Sequence, residues 1–224
     1  MITVLVCVHS TNEMHDKFLS EALLSLRSQT YKGFKTIIVL DECWDKTKRM
    51  IESTKFDEDN FLILERDKKE GLAYAKNYGL SFVDTEYVAF LDADDLYEPT
   101  KLEKQVEFMK NNDDVDFLST FHIDITVSNR NLKYINPNCP GPRDNYRGKY
   151  ITHEEIVEGL LTCSPLTHGS MLIKMKALKE LGYYNHVKGV EDWDLWRRAA
   201  AAGYKFHQLP ERLYVWCEGS SVAR

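Results

Sequence analysis

Apolar positions along this chain alternate between two rhythms. Residues 2–8 form an almost unbroken β-branched run, as expected for a strand buried on both faces of a parallel sheet. Phe18, Leu19, Ala22, Leu23 and Leu26 then recur at the spacing of one helix face and predict a helix over residues 16–30. The alternation continues with a strand at 35–40, a polar helix at 45–54, a strand at 61–64, a helix at 71–82 and a strand at 86–91. The order β-α-β-α-β-α-β predicts a parallel sheet with helical crossovers, an architecture of nucleotide-binding type.

The second half reads differently. Pro99 is placed to open a helix whose buried stripe is Leu102, Val106 and Met109. Residues 115–121 and 123–127 predict two strands with little helix between them. Residues 128–150, rich in Asn, Pro, Gly and Arg and without period, predict a long loop that is mobile and orders over a ligand. Thr152 with Glu155 forms a capping-box pattern for a helix reaching residue 161. A strand at 169–173, a helix at 175–181 closed by Gly182, a helix at 191–202 closed by Gly203, and short strands at 204–207 and 212–216 complete the chain. No repeat, linker or low-complexity segment interrupts it, so residues 1–224 read as a single domain with a first half to residue 97 and a second half from 98.

Composition narrows the function classes. The 224 residues, 43% of them apolar, suffice for a packed core. A net charge of -6, from 29 basic and 35 acidic side chains, argues against a nucleic-acid partner. No apolar run approaches a membrane span. The first strand starts almost at the initiator Met, without a charged stretch followed by a longer apolar segment, so no secretory leader and a cytoplasmic location are expected. Five scattered cysteines without CxxC spacing suit reduced thiols and not structural zinc.

The densest chemistry lies at residues 87–95, where the apolar strand runs into Asp92, Asp94 and Asp95. Carboxylates at i and i+2 beyond a buried strand can share a divalent cation, Mg²⁺ or Mn²⁺, that also binds substrate phosphates. The same residues also suit an acidic turn capping the next helix. Glu191 and Asp192 open a helix with Asp192, Leu195, Trp196 and Ala199 on its inner stripe. Acids at such a position either complement the helix dipole or, at a cleft, accept a proton. Lys76 suits a diphosphate contact or a solvated helix lysine, Trp193 a sugar platform or the core, and His168 a ligand contact or a structural role.

Four ordered blocks, spread across nearly the whole chain, resemble family 2 glycosyltransferases of the GT-A fold. They are Val4 to Ser10 with Ser28-Gln29-Thr30-Tyr31 and Thr36 to Asp41; Gly71 to Asn77; Phe90 to Asp95 with Pro99 and Leu102; and Gly169-Ser170-Met171 with Glu191 to Trp196. The resemblance implies a Rossmann-like, mostly parallel sheet with helices on both faces and a smaller mixed acceptor-side region. It makes residues 1–97 the nucleotide-sugar half and 98–224 the half carrying the acceptor and the catalytic base. It implies inverting transfer from a nucleotide-diphosphate sugar, a UDP-sugar by the match at Asp41, to a hydroxyl of a glycan, with Mn²⁺ or Mg²⁺ as cofactor. Nucleotide contacts then fall on Val8, His9, Ser10, Asp41, Lys76, Asp92 and Ala93. The metal falls on Asp94 with Asp92, the base on Asp192, and the acceptor side on Glu191, Trp193, His168 and Gly169.

The chain departs from the family pattern in places. Cys7-Val8-His9-Ser10 stands where Pro-x-Tyr/His-Asn is usual, and Leu40-Asp41-Glu42-Cys43 replaces Asp-Asp-Gly-Ser. Lys76 replaces a frequent Arg, and Trp216 and Glu218 stand where Arg and His are common. These departures admit a second reading, a degenerate sugar-nucleotide-binding module without transfer activity. A phosphatase of the haloacid dehalogenase type would want Thr at the place of Leu96 and its motif on the first strand. A sugar nucleotidyltransferase would want glycines in the loop His9-Ser10-Thr11-Asn12-Glu13, which has none.

Overall fold

The computed structural model describes residues 1–54, 60–66, 70–126 and 150–218. Its first strand, β1 (Ile2–Val8), is buried along both faces and lies inside the sheet. Parallel to it run β2 (Phe34–Asp41) on one side and β4 (Tyr87–Phe90) on the other, with β3 (Phe61–Arg66) outside β2. The described residues form one eight-stranded sheet of order β3-β2-β1-β4-β7-β6-β8-β5. The second half enters through β7 (Leu172–Lys174), antiparallel to β4 and to β6 (Phe117–Thr126). β8 (Phe206–Glu218) runs parallel to β6, and the two-residue β5 (Leu96–Tyr97) runs antiparallel to β8.

Alternate residues of the inner strands feed two cores, one on each face. Ile2, Val4, Val6 and Val8 pack with Phe18, Leu19, Leu23 and Leu26 of α1 (Glu13–Arg27) and Leu102, Val106 and Met109 of α4 (Lys101–Asn111). Leu5, Ile37 and Val39 pack on the other face with Ala73, Ala75 and Leu80 of α3 (Leu72–Leu80) and Leu195, Trp196 and Ala199 of α7 (Glu191–Ala201). Gly79 lets α3 lie close on the sheet. A Cβ there would stand 2.4 Å from Leu5 Cδ1 and 2.8 Å from Val39 Cγ2. Shorter helices α2 (Asp45–Ser53), α5 (His153–Gly159) and α6 (Met175–Glu180) complete the layers.

The element types follow the apolar pattern, and the differences have local causes. α1 starts at Glu13, ahead of its apolar stripe, because the Asn12 side chain caps it by accepting the His15 amide at 3.0 Å. The capping box forms, with Glu155 N donating to Thr152 Oγ1 and Thr152 N donating to Glu155 Oε2, though α5 ends at Gly159. The two strands expected at 115–121 and 123–127 are one, β6, with a register irregularity against β8 around Phe121. The pieces at 204–207 and 212–216 are likewise one strand, β8. Residues 168–170 form a 3₁₀ turn, so the strand expected at 169–173 starts only at Leu172. β5 was not expected, since two residues carry no period. The expected loop at 128–150 lies outside the described residues, apart from Tyr150. Cys7, Cys43, Cys163 and Cys217 are free thiols, and among the described residues no helix is long and apolar enough to cross a membrane.

Lys101, at the start of α4, is fully buried. Its Nζ lies 4.0 Å above the Tyr97 ring and donates to Gln105 Oε1 at 2.8 Å. Burial pushes its pKa well below the ordinary 10.5. The folded value then lies below the unfolded one. Between the two, the unfolded chain binds a proton that the fold does not, so stability rises with pH across that window. Lys101→Met removes this dependence, against the smaller loss of one hydrogen bond to Gln105. The variant is expected to melt above the wild type at pH 7, by roughly 2–4 °C, the worth of about 1 kcal/mol at this chain length. The difference should narrow toward pH 10. A pH-independent difference in thermal melts would show that Lys101 stays charged in the fold.

Candidate active site

β1, β2 and β3 end in register, with Val8 beside Leu40 and Asp41 beside Arg66. β4 runs parallel and adjacent, Phe90 beside Leu5. Their following loops therefore gather along one edge, where an open parallel sheet takes its ligands. Beyond β4 the chain alternates. Leu91 and Ala93 enter the core, while Asp92 and Asp94 stay half-buried on the other side. Asp95 is buried and tied to β8, with Tyr214 Oη donating to its Oδ2 at 2.5 Å and Cys217 N donating to its Oδ1 at 2.7 Å. Both Asp95 oxygens thus accept from β8, and the residue fastens the acidic turn to that strand. The same Tyr214 hydroxyl lies 3.4 Å from Asp92 Oδ2. Burial lifts the Asp92 pKa to about 6; the charges of Asp94 and Asp192 add to this and that of Lys76 opposes it.

Lys76 joins the two acidic segments. It lies on the inner face of α3, 3% exposed, and its Nζ donates to Glu191 Oε1 at 3.0 Å and stands 5.1 Å from the Tyr184 ring centroid. Glu191 begins the buried stripe of α7, one turn before Leu195 and two before Ala199. Asp192 is turned from that stripe and half-buried. Its Oδ1 accepts the Trp193 amide at 2.7 Å. Burial raises the Asp192 pKa above the usual carboxylate range, against the pull of Lys76. Asp92 and Asp192, a hundred positions apart in sequence, thus lie close enough to influence one ionisation and share one cation.

At the β2 end, Asp41 is buried and pairs with Arg66, Nη1 to Oδ1 at 3.2 Å, while Arg66 Nη2 donates to Glu70 Oε2 at 2.5 Å. His9 Nδ1 lies 2.8 Å from the Asp41 carbonyl oxygen. A concavity of about 670 Å³ opens beside this pair, lined by Leu40, Cys43, Trp44, Lys48 and Arg66 among others.

A family model for Glycosyl transferase family 2 matches residues 4–182. The chain belongs to glycosyl transferase family 2. An uncharacterized glycosyltransferase of Methanocaldococcus jannaschii is 31% identical over 207 residues, 92% of this chain and 68% of that one. The O-antigen biosynthesis glycosyltransferase WbnJ of Escherichia coli is 28% identical over 201 residues, 88% and 71% of the two chains. Among solved structures, S. aureus TarS in complex with UDP-GlcNAc superposes with a TM-score of 0.76 at 19% identity, covering 97% of this chain and 58% of that one. Mannosyltransferase PcManGT from Pyrobaculum calidifontis, in complex with GDP-Man and Mn²⁺, gives 0.69 at 19% identity, covering 96% and 56%. The mixed sheet with helices on both faces is therefore the GT-A fold, and this family 2 chain spans 56–58% of the length of these two structural neighbours.

The fold separates the residues that the sequence grouped. Asp92, Asp94, Lys76, Glu191 and Asp192 converge. Lys76 is not a solvated lysine. Glu191, not Asp192, holds the buried place on the α7 stripe, because the i, i+4, i+8 row with Leu195 and Ala199 starts one residue earlier; its carboxylate is engaged by Lys76. His168 and Gly169 lie in the buried 3₁₀ turn before β7. The His168 ring packs 4.5 Å from Phe90, its Nε2 lies 2.8 Å from Tyr184 Oη, and burial holds its pKa well below 6.5, so it is a neutral core residue. Gly169 makes room for Tyr214, whose hydroxyl would stand 1.9 Å from a Cβ there. Trp193 is half-buried beside Asp192, its indole N–H donating to the Leu160 carbonyl at 3.0 Å. Val8, Ser10 and Ala93 are buried, so Val8 and Ala93 offer a ligand only their backbone, and the Ser10 hydroxyl is already engaged. The Glu218 side chain lies outside the described residues. Arg66, Tyr184 and Tyr214 were missed, because each sits in a segment whose sequence signals only a strand or a loop.

Proposed function

We propose that this family 2 glycosyltransferase moves a sugar from a nucleoside diphosphate sugar, a UDP-sugar, to a glycan hydroxyl with inversion, and that Asp192 is the base. The observation that carries this reading is the facing of two acidic segments across one buried lysine. One end suits a sugar diphosphate and the other a hydroxyl. The UDP-GlcNAc held by one structural neighbour and the O-antigen role in the name of one relative support the donor and acceptor classes.

In this reading the acceptor hydroxyl approaches Asp192, whose Oδ1 is held by the Trp193 amide. Oδ2 takes the proton as the oxygen lone pair attacks the anomeric carbon from the face opposite the diphosphate. The bond from carbon to phosphate oxygen breaks, and its electron pair leaves on the diphosphate. A base with a raised pKa is better matched to an operating pH near neutrality. Lys76 opposes the effect of burial on Asp92 and Asp192 and so favours their ionised forms.

Asp94 and Asp92 fit a divalent cation. They are half-buried carboxylates two residues apart, and added positive charge there would offset the burial, and the smaller effect of neighbouring carboxylates, that lift the Asp92 pKa. Among the described residues no third carboxylate, His or Cys joins them, which leaves coordination positions for diphosphate oxygens and water, as Mg²⁺ and Mn²⁺ commonly take. Bound there, such an ion supplies Lewis acidity to the leaving diphosphate. UDP is accordingly expected to bind at least ~10-fold more weakly in EDTA than in Mn²⁺, since two carboxylates then face the diphosphate. Calorimetry checks this, and equal affinity in both would remove the metal from the site. Release of free sugar from a UDP-sugar, followed by chromatography, separates an enzyme from a binding module, which would bind without turnover.

A further inference from the structure

Asp16, in the first turn of α1, collects three hydrogen bonds from other segments. Ser10 Oγ donates to its Oδ1 at 2.7 Å, Thr47 Oγ1 to the same oxygen at 2.6 Å, and Trp44 Nε1 to Oδ2 at 2.9 Å. The donors come from the loop after β1, the start of α2 and the loop after β2. Around this carboxylate the two loops are also joined directly. Trp44 N donates to the Ser10 carbonyl at 3.2 Å, Ser10 N to Cys43 Sγ at 3.3 Å, and Cys43 Sγ to the Val8 carbonyl at 3.2 Å. Between them Glu42 holds φ 56°, the left-handed region. A non-glycine residue persists there only when its surroundings over-determine it. Asp41 and His9, the pair at the nucleotide end, sit on this knot through the contact between His9 Nδ1 and the Asp41 carbonyl.

We propose that Asp16 is a positioning residue that touches no ligand but sets the wall of the nucleotide site by clamping the loops after β1 and β2. The proposal rests on the nucleotide-sugar reading for its effect on binding, while the clamp stands on the hydrogen bonds alone. It also accounts for the departures in the loops after β1 and β2. Ser10, Cys43 and Trp44 are the residues that build the knot, so the unusual residues in the two loops compensate one another. Ser10 thereby moves from a nucleotide contact to a part of the wall.

The chemistry of the three donors gives the test. Asp16→Asn keeps the size and one acceptor oxygen, which suffices for Ser10 and Thr47, but turns an NH₂ toward the Trp44 indole N–H. Two donors then face each other. In Asp16→Asn the Trp44 indole proton, assigned by its disappearance in Trp44→Phe, should shift in the NMR spectrum and lose protection from exchange. The affinity for UDP with Mn²⁺ should fall roughly ten-fold, the worth of about one such contact, and the donor KM should rise with kcat within about two-fold. The double variant Asp16→Asn/Trp44→Phe, in which the opposed donors are gone, should recover most of the affinity. An unchanged indole proton in folded Asp16→Asn overturns the clamp. A changed indole proton with unchanged UDP affinity, or a double variant no better than the single one, overturns the positioning role. A wild type that binds no UDP at all fails the nucleotide-sugar reading instead, and the indole proton still decides the clamp.

Discussion

Asp192→Asn should lower sugar transfer by roughly two to four orders of magnitude, the usual worth of a positioned base. Asparagine keeps the shape and still accepts the Trp193 amide that now binds Asp192 Oδ1 at 2.7 Å, so α7 keeps its start and the melting temperature should change little. UDP affinity should also hold, since the nucleotide end lies at Asp41 and Asp92. The wild-type pH profile carries a second mark of the same residue. Burial raises the Asp192 pKa, and a base works only when deprotonated. Transfer should therefore decline with falling pH from a higher pH than an ordinary aspartate would give. Steady-state kinetics of the variant across pH checks both. Near wild-type transfer would place the base elsewhere, with Glu191 and Asp194 next to test. Asp194 is the weaker of the two, because it is held by Arg198 Nε at 2.8 Å and Asn185 Nδ2 at 3.0 Å.

Lys76→Met should be costly in a different currency. Lys76 and Glu191 are 3% and 8% exposed, so removing the cation leaves a buried carboxylate without its partner. Such losses run to roughly 3–5 kcal/mol, a large share of the stability of a domain of this kind. Urea unfolding should show the loss, and Lys76→Met/Glu191→Gln should restore most of it, since no uncompensated charge then remains. An unstable double variant would mean that packing of the lysine stem, not the ion pair, was lost. In the single variant Asp92 and Asp192 also lose the charge that lowers their pKa. The acid limb of the activity profile should then move to higher pH, a shift that a purely structural lysine would not produce.

The chain's sequence is legible where the physics is local. The strand at residues 2–8, the helix stripe of Phe18, Leu19, Ala22, Leu23 and Leu26, and the capping box of Thr152 and Glu155 each depend on neighbours within a few residues, and each is present. The edges of elements were less legible. The start of α1 depends on the Asn12 side chain, which precedes the apolar stripe, and the fusion of two expected strands into β6 depends on the long partner β8 running beside it. The acidic residues after β4 and at the start of α7 were legible as chemistry because their residue types are rare at the end of an apolar strand and frequent in the family pattern.

Sequence by itself determined the alternation of buried strands and amphipathic helices, hence the parallel half of the sheet, and it marked Asp92, Asp94 and Asp192 as the residues of interest. The tertiary structure alone decided how those carboxylates are held. Asp95 is set apart by facing Tyr214 and Cys217, more than a hundred residues away, and Glu191 by its place where α7 meets α3. Lys76 became a buried cation, not a surface one, because α3 lies close on the sheet at Gly79 with its inner face turned to Glu191. Burial and partner choice are sums over contacts distant in sequence, and no period within one segment encodes them.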